Sequence, residues 1–422
     1  MRRLLLLTFL VVFLALRPAA AEVISLTLDE VVFLALRDNP AVLLSAQDVA
    51  KAKLKIAEAK AALWPSVTAS GGWSDTMGLY QKDHSVWSTQ LSVRQYLYKG
   101  GRTTNTIQAN EYAAAASEAL FDKTKEDVIL NAKKAFYALV LARDYSQLSQ
   151  RIVSNTERHL LYLQELQRKG QASESDLIAI KAALHNVTQV HIAALNNVEA
   201  LQALLRNLVG FESGLRIRPI GQLEYVPEDL IYDAALEKAL KDRPEVREAQ
   251  ALESMRKKSI EIAKADGRPV VYASWDYFGT SSQASAAGFT HKWQDYSVVG
   301  MTFSWPLFDG WATKAKVEQA IVDLKTAQIV KEKTAQDIVL ELKTAYLAYK
   351  DALARIDAAD SQLSVYRDNL DVSGEKFGQG HLSTLDLDDA QVKYDISEFN
   401  RMSAVYDYVI ARIQFDRARG EM

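Results

Sequence analysis

Between Gly101 and Gly170 the chain runs for 68 residues, Arg102 to Lys169, without a proline or a glycine. This run is rich in Ala, Leu, Glu, Lys and Gln, residues that lose little freedom on entering a helix. A single helix of that length reaches about 100 Å at ~1.5 Å per residue. Helices this long do not fit inside a globular domain. They pack side by side along their length, as in coiled coils.

The run occurs twice. From Trp311 to Phe377 the same composition returns, interrupted only by Gly374. The likeness extends on both sides. Ala35-Leu36-Arg37-Asp38-Asn39-Pro40 matches Ala239-Leu240-Lys241-Asp242-Arg243-Pro244, and Pro65 matches Pro269. Further along, Leu97-Tyr98-Lys99-Gly100 matches Leu307-Phe308-Asp309-Gly310, Gly170 matches Gly380, and Asp176-Leu177 matches Asp386-Leu387. A unit of roughly 200 residues is therefore duplicated, and such self-similarity decides the architecture. We place the first repeat at 22–210, a linker at 211–231 and the second repeat at 232–422. Two shorter helices per repeat, Ala41 to Trp64 and Gln171 to Val209 in the first, together match the long helix in length. The pattern predicts a wall in which each column is one long helix or two short ones.

Strands are expected where the helices stop, at about 66–75, 87–98, 270–278 and 296–308. Val67, Ala69, Gly71 and Trp73 alternate with Ser66, Thr68, Ser70 and Ser74; Met301, Phe303, Trp305 and Leu307 alternate with Gly300, Thr302 and Ser304. Runs of this length span a bilayer when tilted, and one apolar face with aromatics near the ends suits a transmembrane barrel. A soluble antiparallel sheet with one wet face shows the same alternation. In lipid, four strands cannot close a barrel and open edges are not tolerated, so membrane insertion demands several copies.

Residues 1–21 carry the marks of a secretory signal: Arg2 and Arg3, the apolar run Leu4 to Leu16, then Ala19-Ala20-Ala21. The chain has no cysteine, which excludes disulfides, thiolate metal sites and a cysteine nucleophile. A net charge of −3 gives no basic face for nucleic acid. None of the six histidines pairs with another at metal-ligand spacing, and no catalytic or phosphate-binding motif occurs. The sequence therefore predicts no enzyme and no cofactor.

The hairpins are expected to turn around Gly170 and around Gly378 and Gly380, the far ends of the long helices. Just beyond the second turn stand Asp386, Asp388 and Asp389. Asp386 and Asp389, spaced i, i+3, share a helix face. Asp176 holds the matching place in the first repeat, where Ala179 replaces the second acid. On a pore-lining face these acids would form a ring that favours cations; acids in a first helical turn also simply favour the helix dipole.

The set of motifs resembles the outer membrane efflux protein family, the TolC-like exit ducts of Gram-negative bacteria. Its carriers are Leu28-Asp29-Glu30 with Ala35 to Pro40, Ala61-Ala62-Leu63-Trp64-Pro65-Ser66-Val67, Trp305-Pro306-Leu307-Phe308-Asp309-Gly310, and Gly380-His381-Leu382-Ser383-Thr384-Leu385-Asp386-Leu387 with Ala390-Gln391. The resemblance implies a mostly α fold with a transmembrane β-barrel portion. It implies a homotrimer with a 12-helix α-barrel across the periplasm and a shared 12-stranded barrel in outer-membrane lipid. It also implies passive conduction, with a periplasmic adaptor and an inner-membrane transporter as partners, and loops around Thr76 to Ser85 and Gly279 to Gln294 facing outside. Asp386, Asp389 and Asp176 become the candidates for the periplasmic aperture. The mouth lock of some family members, a tyrosine three residues before the hairpin glycine and an arginine two after it, is replaced here by Phe377 and Leu382. The competing reading is a periplasmic coiled-coil scaffold or adaptor without a channel; a third is a receptor or adhesin stalk.

Overall fold

The computed structural model describes residues 23–79, 82–170, 172–211, 215–284 and 292–422. The expected secretory signal lies outside the described residues, as do parts of the two expected outer loops. The chain divides into two compact units, each drawing on both repeats. One takes residues up to Leu44 together with Thr124–Lys241 and Ile338–Met422; the other takes Ser45–Lys123 and Asp242–Asp337. The elements in order are β1 (Val23–Leu26), α1 (Leu28–Asp38), α2 (Pro40–Ala61), β2 (Ser66–Leu79), β3 (Lys82–Lys99), α3 (Arg102–Arg168), α4 (Glu174–Val209) and β4 (Arg216–Pro219). Then come α5 (Tyr232–Asp242), α6 (Pro244–Lys264), β5 (Val270–Ala284), β6 (Lys292–Ser304), α7 (Ala312–Gly378) and α8 (Thr384–Ala418).

The two long helices form as the missing breakers require. α3 and α7 are each 67 residues long. Gly374 lies within α7, and its interior position costs the helix only weakly. The shorter helices differ from expectation at their starts. Pro40 and Pro244 separate α1 from α2 and α5 from α6, because proline cannot donate to the preceding turn. Two short helices, α1 and α5, are thus distinct elements that the sequence reading did not separate. Thr27 and Glu30 close a capping box at the start of α1: the Glu30 carboxylate accepts the Thr27 N–H at 2.8 Å, and Thr27 Oγ1 accepts the Glu30 N–H at 3.4 Å.

In the second unit β2, β3, β5 and β6 form an antiparallel sheet in that order, so β3 and β5 join the hairpins of the two repeats. Directly opposite residues in an antiparallel sheet share a face. The register places Val67, Val93, Trp275 and Val299 in one row, and Trp73 opposite Trp87. The neighbouring row runs Thr68, Ser92, Asp276, Val298 and points the other way. There the Asp276 carboxylate accepts hydrogen bonds from Ser92 Oγ at 2.5 Å and Gln90 Nε2 at 3.3 Å. The apolar row is open: Val67, Val299, Met301 and Phe303 are all more than half exposed. Pro306 ends β6 at Ser304, short of the expected Phe308, though β6 starts earlier than expected; β2 and β5 begin where expected and run past their expected ends, and β3 runs further at both ends.

In the first unit the helices pack through small residues and rings. Ala352, Ala359 and Ala404 let the helices approach closely around buried Tyr349, Ile356 and Tyr408. Arg417 of α8, 6% exposed, reaches Asp127 of α3 at 2.9 Å and Glu341 of α7 at 3.3 Å, which satisfies its buried guanidinium. The sequence reading missed a parallel pair here: β1 pairs with β4, Val23 opposite Arg216. β4 lies in the segment read as linker.

Candidate functional site

Both helical hairpins turn within a few residues, and the sequence explains how. Gly170 takes φ +71° and Gly380 φ +75°, left-handed angles that glycine adopts without steric cost. Gly378 is the last residue of α7. Each returning helix then opens on a serine. Ser173 Oγ accepts the Asp176 N–H at 3.1 Å, while the Asp176 carboxylate accepts Ser173 N–H at 2.9 Å and Oγ–H at 2.7 Å. Ser383 Oγ accepts the Asp386 N–H at 3.2 Å and donates to the Asp386 carboxylate at 2.6 Å. The hydrogen bonds from Ser173 hold the Asp176 carboxyl below its usual range. Ser173 and Ser383 therefore cap their helices, and Asp176 completes a capping box while Asp386 bonds back only to the Ser383 hydroxyl.

Asp386 and Asp389 both lie on the exposed face of α8, as their spacing requires. Asp389 is not a bare carboxylate. Lys393, one turn on, donates to it at 2.5 Å, and this contact raises the lysine's pKa. Asp388 points the other way and meets His159 Nδ1 of α3 at 2.7 Å. His159 and Tyr162 also flank Phe377 edge-on, with ring centroids 6.4 and 6.2 Å away. Phe377 thus packs against α3. Further along the same pair of helices Arg151 reaches Glu398 at 2.5 Å, and Tyr145 meets Phe399 at 4.4 Å between centroids. This seam ties a helix of the first repeat to a helix of the second just behind the turns. The sequence reading missed it, because helix periodicity reports a residue's face but not which helix lies opposite. Among the described residues no group of acids and histidines could hold a metal ion.

The turns, the long helices and the open-edged sheet agree with what known proteins show. The family model described as outer membrane efflux protein matches residues 31–211 and again 235–421. The chain belongs to that family. Its relatives include outer membrane protein TolC of Escherichia coli, 20% identical over 399 residues, with 91% of this chain and 80% of that protein covered. The outer membrane channel CmeC of Campylobacter jejuni superposes with a TM-score of 0.79 at 17% identity, covering 93% of this chain and 85% of that one. A membrane protein from Pseudomonas aeruginosa superposes with a TM-score of 0.80 at 19% identity, covering 93% and 92%. This member of the efflux family is an outer-membrane protein with the family's mostly α fold and its small β-sheet portion.

Proposed function

We propose that three copies of this chain close into an exit duct that conducts substrates passively from the periplasm to the outside. The observation that carries the proposal is the sheet. Its four strands leave β2 and β6 with unpaired edges and an apolar face uncovered. Unpaired backbone groups cost several kcal/mol each in hydrocarbon, so the edges of one copy must meet those of the next. Three copies give twelve strands, an even number large enough to close. The two repeats of each copy, 22–210 and 232–422, then stand side by side around the ring. The helices extend the duct into the periplasm, where an adaptor protein and an inner-membrane transporter supply cargo and energy.

The aperture of this duct lies at the hairpin turns formed by Gly170, Gly378 and Gly380. Asp386 supplies its charge, with Asp389 screened by Lys393 and Asp176 on the neighbouring hairpin. Single-channel recordings of purified wild type and Asp386→Ala/Asp389→Ala in planar bilayers test both parts. A small cation-selective conductance that rises and loses selectivity in the variant is expected. Channels indifferent to the substitutions refute the aperture. Folded protein that forms no channel refutes the duct in favour of a scaffold.

A further inference from the structure

The turn that leads from the last strand into α7 differs from its counterpart in the first repeat. Gly100 and Gly101, with φ +61° and +83°, lead into α3; Gly310 and Trp311, with φ +64° and +72°, lead into α7. Among the described residues Trp311 is the only non-glycine residue with a positive φ. A bulky residue in the left-handed region is strained, and the first repeat shows that glycine serves the same turn. The Trp311 carbonyl accepts the Ala315 N–H at 3.0 Å just as the Gly101 carbonyl accepts that of Asn105 at 3.1 Å. Asp309 holds the turn independently, accepting the Thr313 N–H at 2.8 Å and its hydroxyl at 2.5 Å. The backbone thus gains nothing from the indole.

Such strain persists only where something outweighs it. The core does not: Trp311 is 69% exposed. Among the described residues its ring meets Phe308 edge-on at 6.0 Å and the Lys314 ammonium, 5.8 Å from its centroid. Leu307 and Phe308 are exposed beside it, and Trp64, 75% exposed, stands just before β2 at the same end of the sheet. Among the described residues no further strand continues the sheet beyond this level.

We propose that Trp311, with Phe308 and Lys314, is an anchor that seats the helix end of the sheet in the phospholipid headgroup layer. The inference rests on the sheet being lipid-facing, as the duct reading holds. Tryptophan suits the boundary between acyl chains and headgroups because its ring is apolar and its N–H is polar. Lys314 adds a cation at phosphate depth; among the described residues it pairs with Glu318 at 3.9 Å, on the exposed surface.

The test uses vesicles of phosphatidylethanolamine and phosphatidylglycerol brominated either near the headgroup end or near the methyl end of the acyl chains. Wild type and Trp311→Gly are reconstituted in each, and the difference in tryptophan emission isolates the Trp311 signal. Stronger quenching of that signal by headgroup-end bromines than by methyl-end bromines is expected. A difference signal untouched by bromine overturns the anchor. Iodide then tells whether water or a protein surface covers the ring. Six tryptophans remain in Trp311→Gly, and four of them, Trp73, Trp87, Trp275 and Trp293, lie in the strands, so the variant's own emission reports on the sheet. If methyl-end bromines quench them, the barrel is in lipid whatever Trp311 does; if not, the duct reading falls and the anchor with it.

Discussion

Replacing Asp395 by asparagine stabilises this protein at neutral pH and leaves it unchanged in acid. Asp395 is 8% exposed on α8, where Gln391 Nε2 donates to it at 2.9 Å. Burial pushes its carboxyl from 3.8 up to about 6; nearby Glu398 pushes the same way, while the Gln391 hydrogen bond and Arg151 oppose. A folded-state pKa above the unfolded one means that the folded chain holds the proton more tightly. The group's contribution to stability is then fully present below about pH 4 and is lost as the pH rises through about 6. At ~1.4 kcal/mol per pH unit, the ionised carboxylate costs the fold about 3 kcal/mol at pH 7.5. Asparagine keeps the acceptor for Gln391 and carries no charge. Urea unfolding of the detergent-solubilised protein, followed by tryptophan fluorescence between pH 4 and pH 8, measures the difference. Asp395→Asn should gain most of that 3 kcal/mol at pH 7.5 and nothing at pH 4. A gain that is the same at both ends of the range, or no gain at pH 7.5, refutes the burial argument.

Three other perturbations act on the first unit. Tyr349, 2% exposed, donates its hydroxyl proton to the Glu228 carbonyl at 2.8 Å, and the same oxygen accepts the Glu228 N–H at 3.2 Å. Tyr349→Phe removes the partner of both backbone groups at a cost of ~1–3 kcal/mol, and faster proteolysis within residues 223–231 than in wild type would show that segment loosened. Gly210 ends α4 at φ +71°, and an added Cβ would lie 3.2 Å from both Cβ and O of Asp38. Gly210→Ala therefore lowers the unfolding free energy, read from urea unfolding, by at least the ~1–2 kcal/mol of a left-handed alanine. Gly374→Ala, inside α7 with nothing nearby, raises it by up to ~1 kcal/mol.

The candidate site was legible only in part. The turns announce themselves because a left-handed glycine after a breaker-free run has no other use, and Ser173 and Ser383 stand three residues before an acid. That spacing makes a cap before it makes anything else. The partners of the acids were not legible. Asp389 could be matched to Lys393 from spacing alone, one helical turn apart, yet Asp388 finds His159 more than two hundred positions away. No local rule states which helix faces α8.

By itself the sequence determined the duplication, the two long helices, the four strands and the unclosed sheet. Each follows from short-range causes: the absence of proline and glycine, the two-residue alternation of side chains, and the cost of open strand edges in lipid. Only the tertiary structure decided that β1 pairs with β4 inside the segment read as linker, that α3 and α8 are stitched together behind the turns, and that a tryptophan occupies a glycine's backbone angle. These depend on which distant surfaces meet and which angles the chain is forced to take. Pairwise packing energies between far-separated residues set both, and local composition does not encode them.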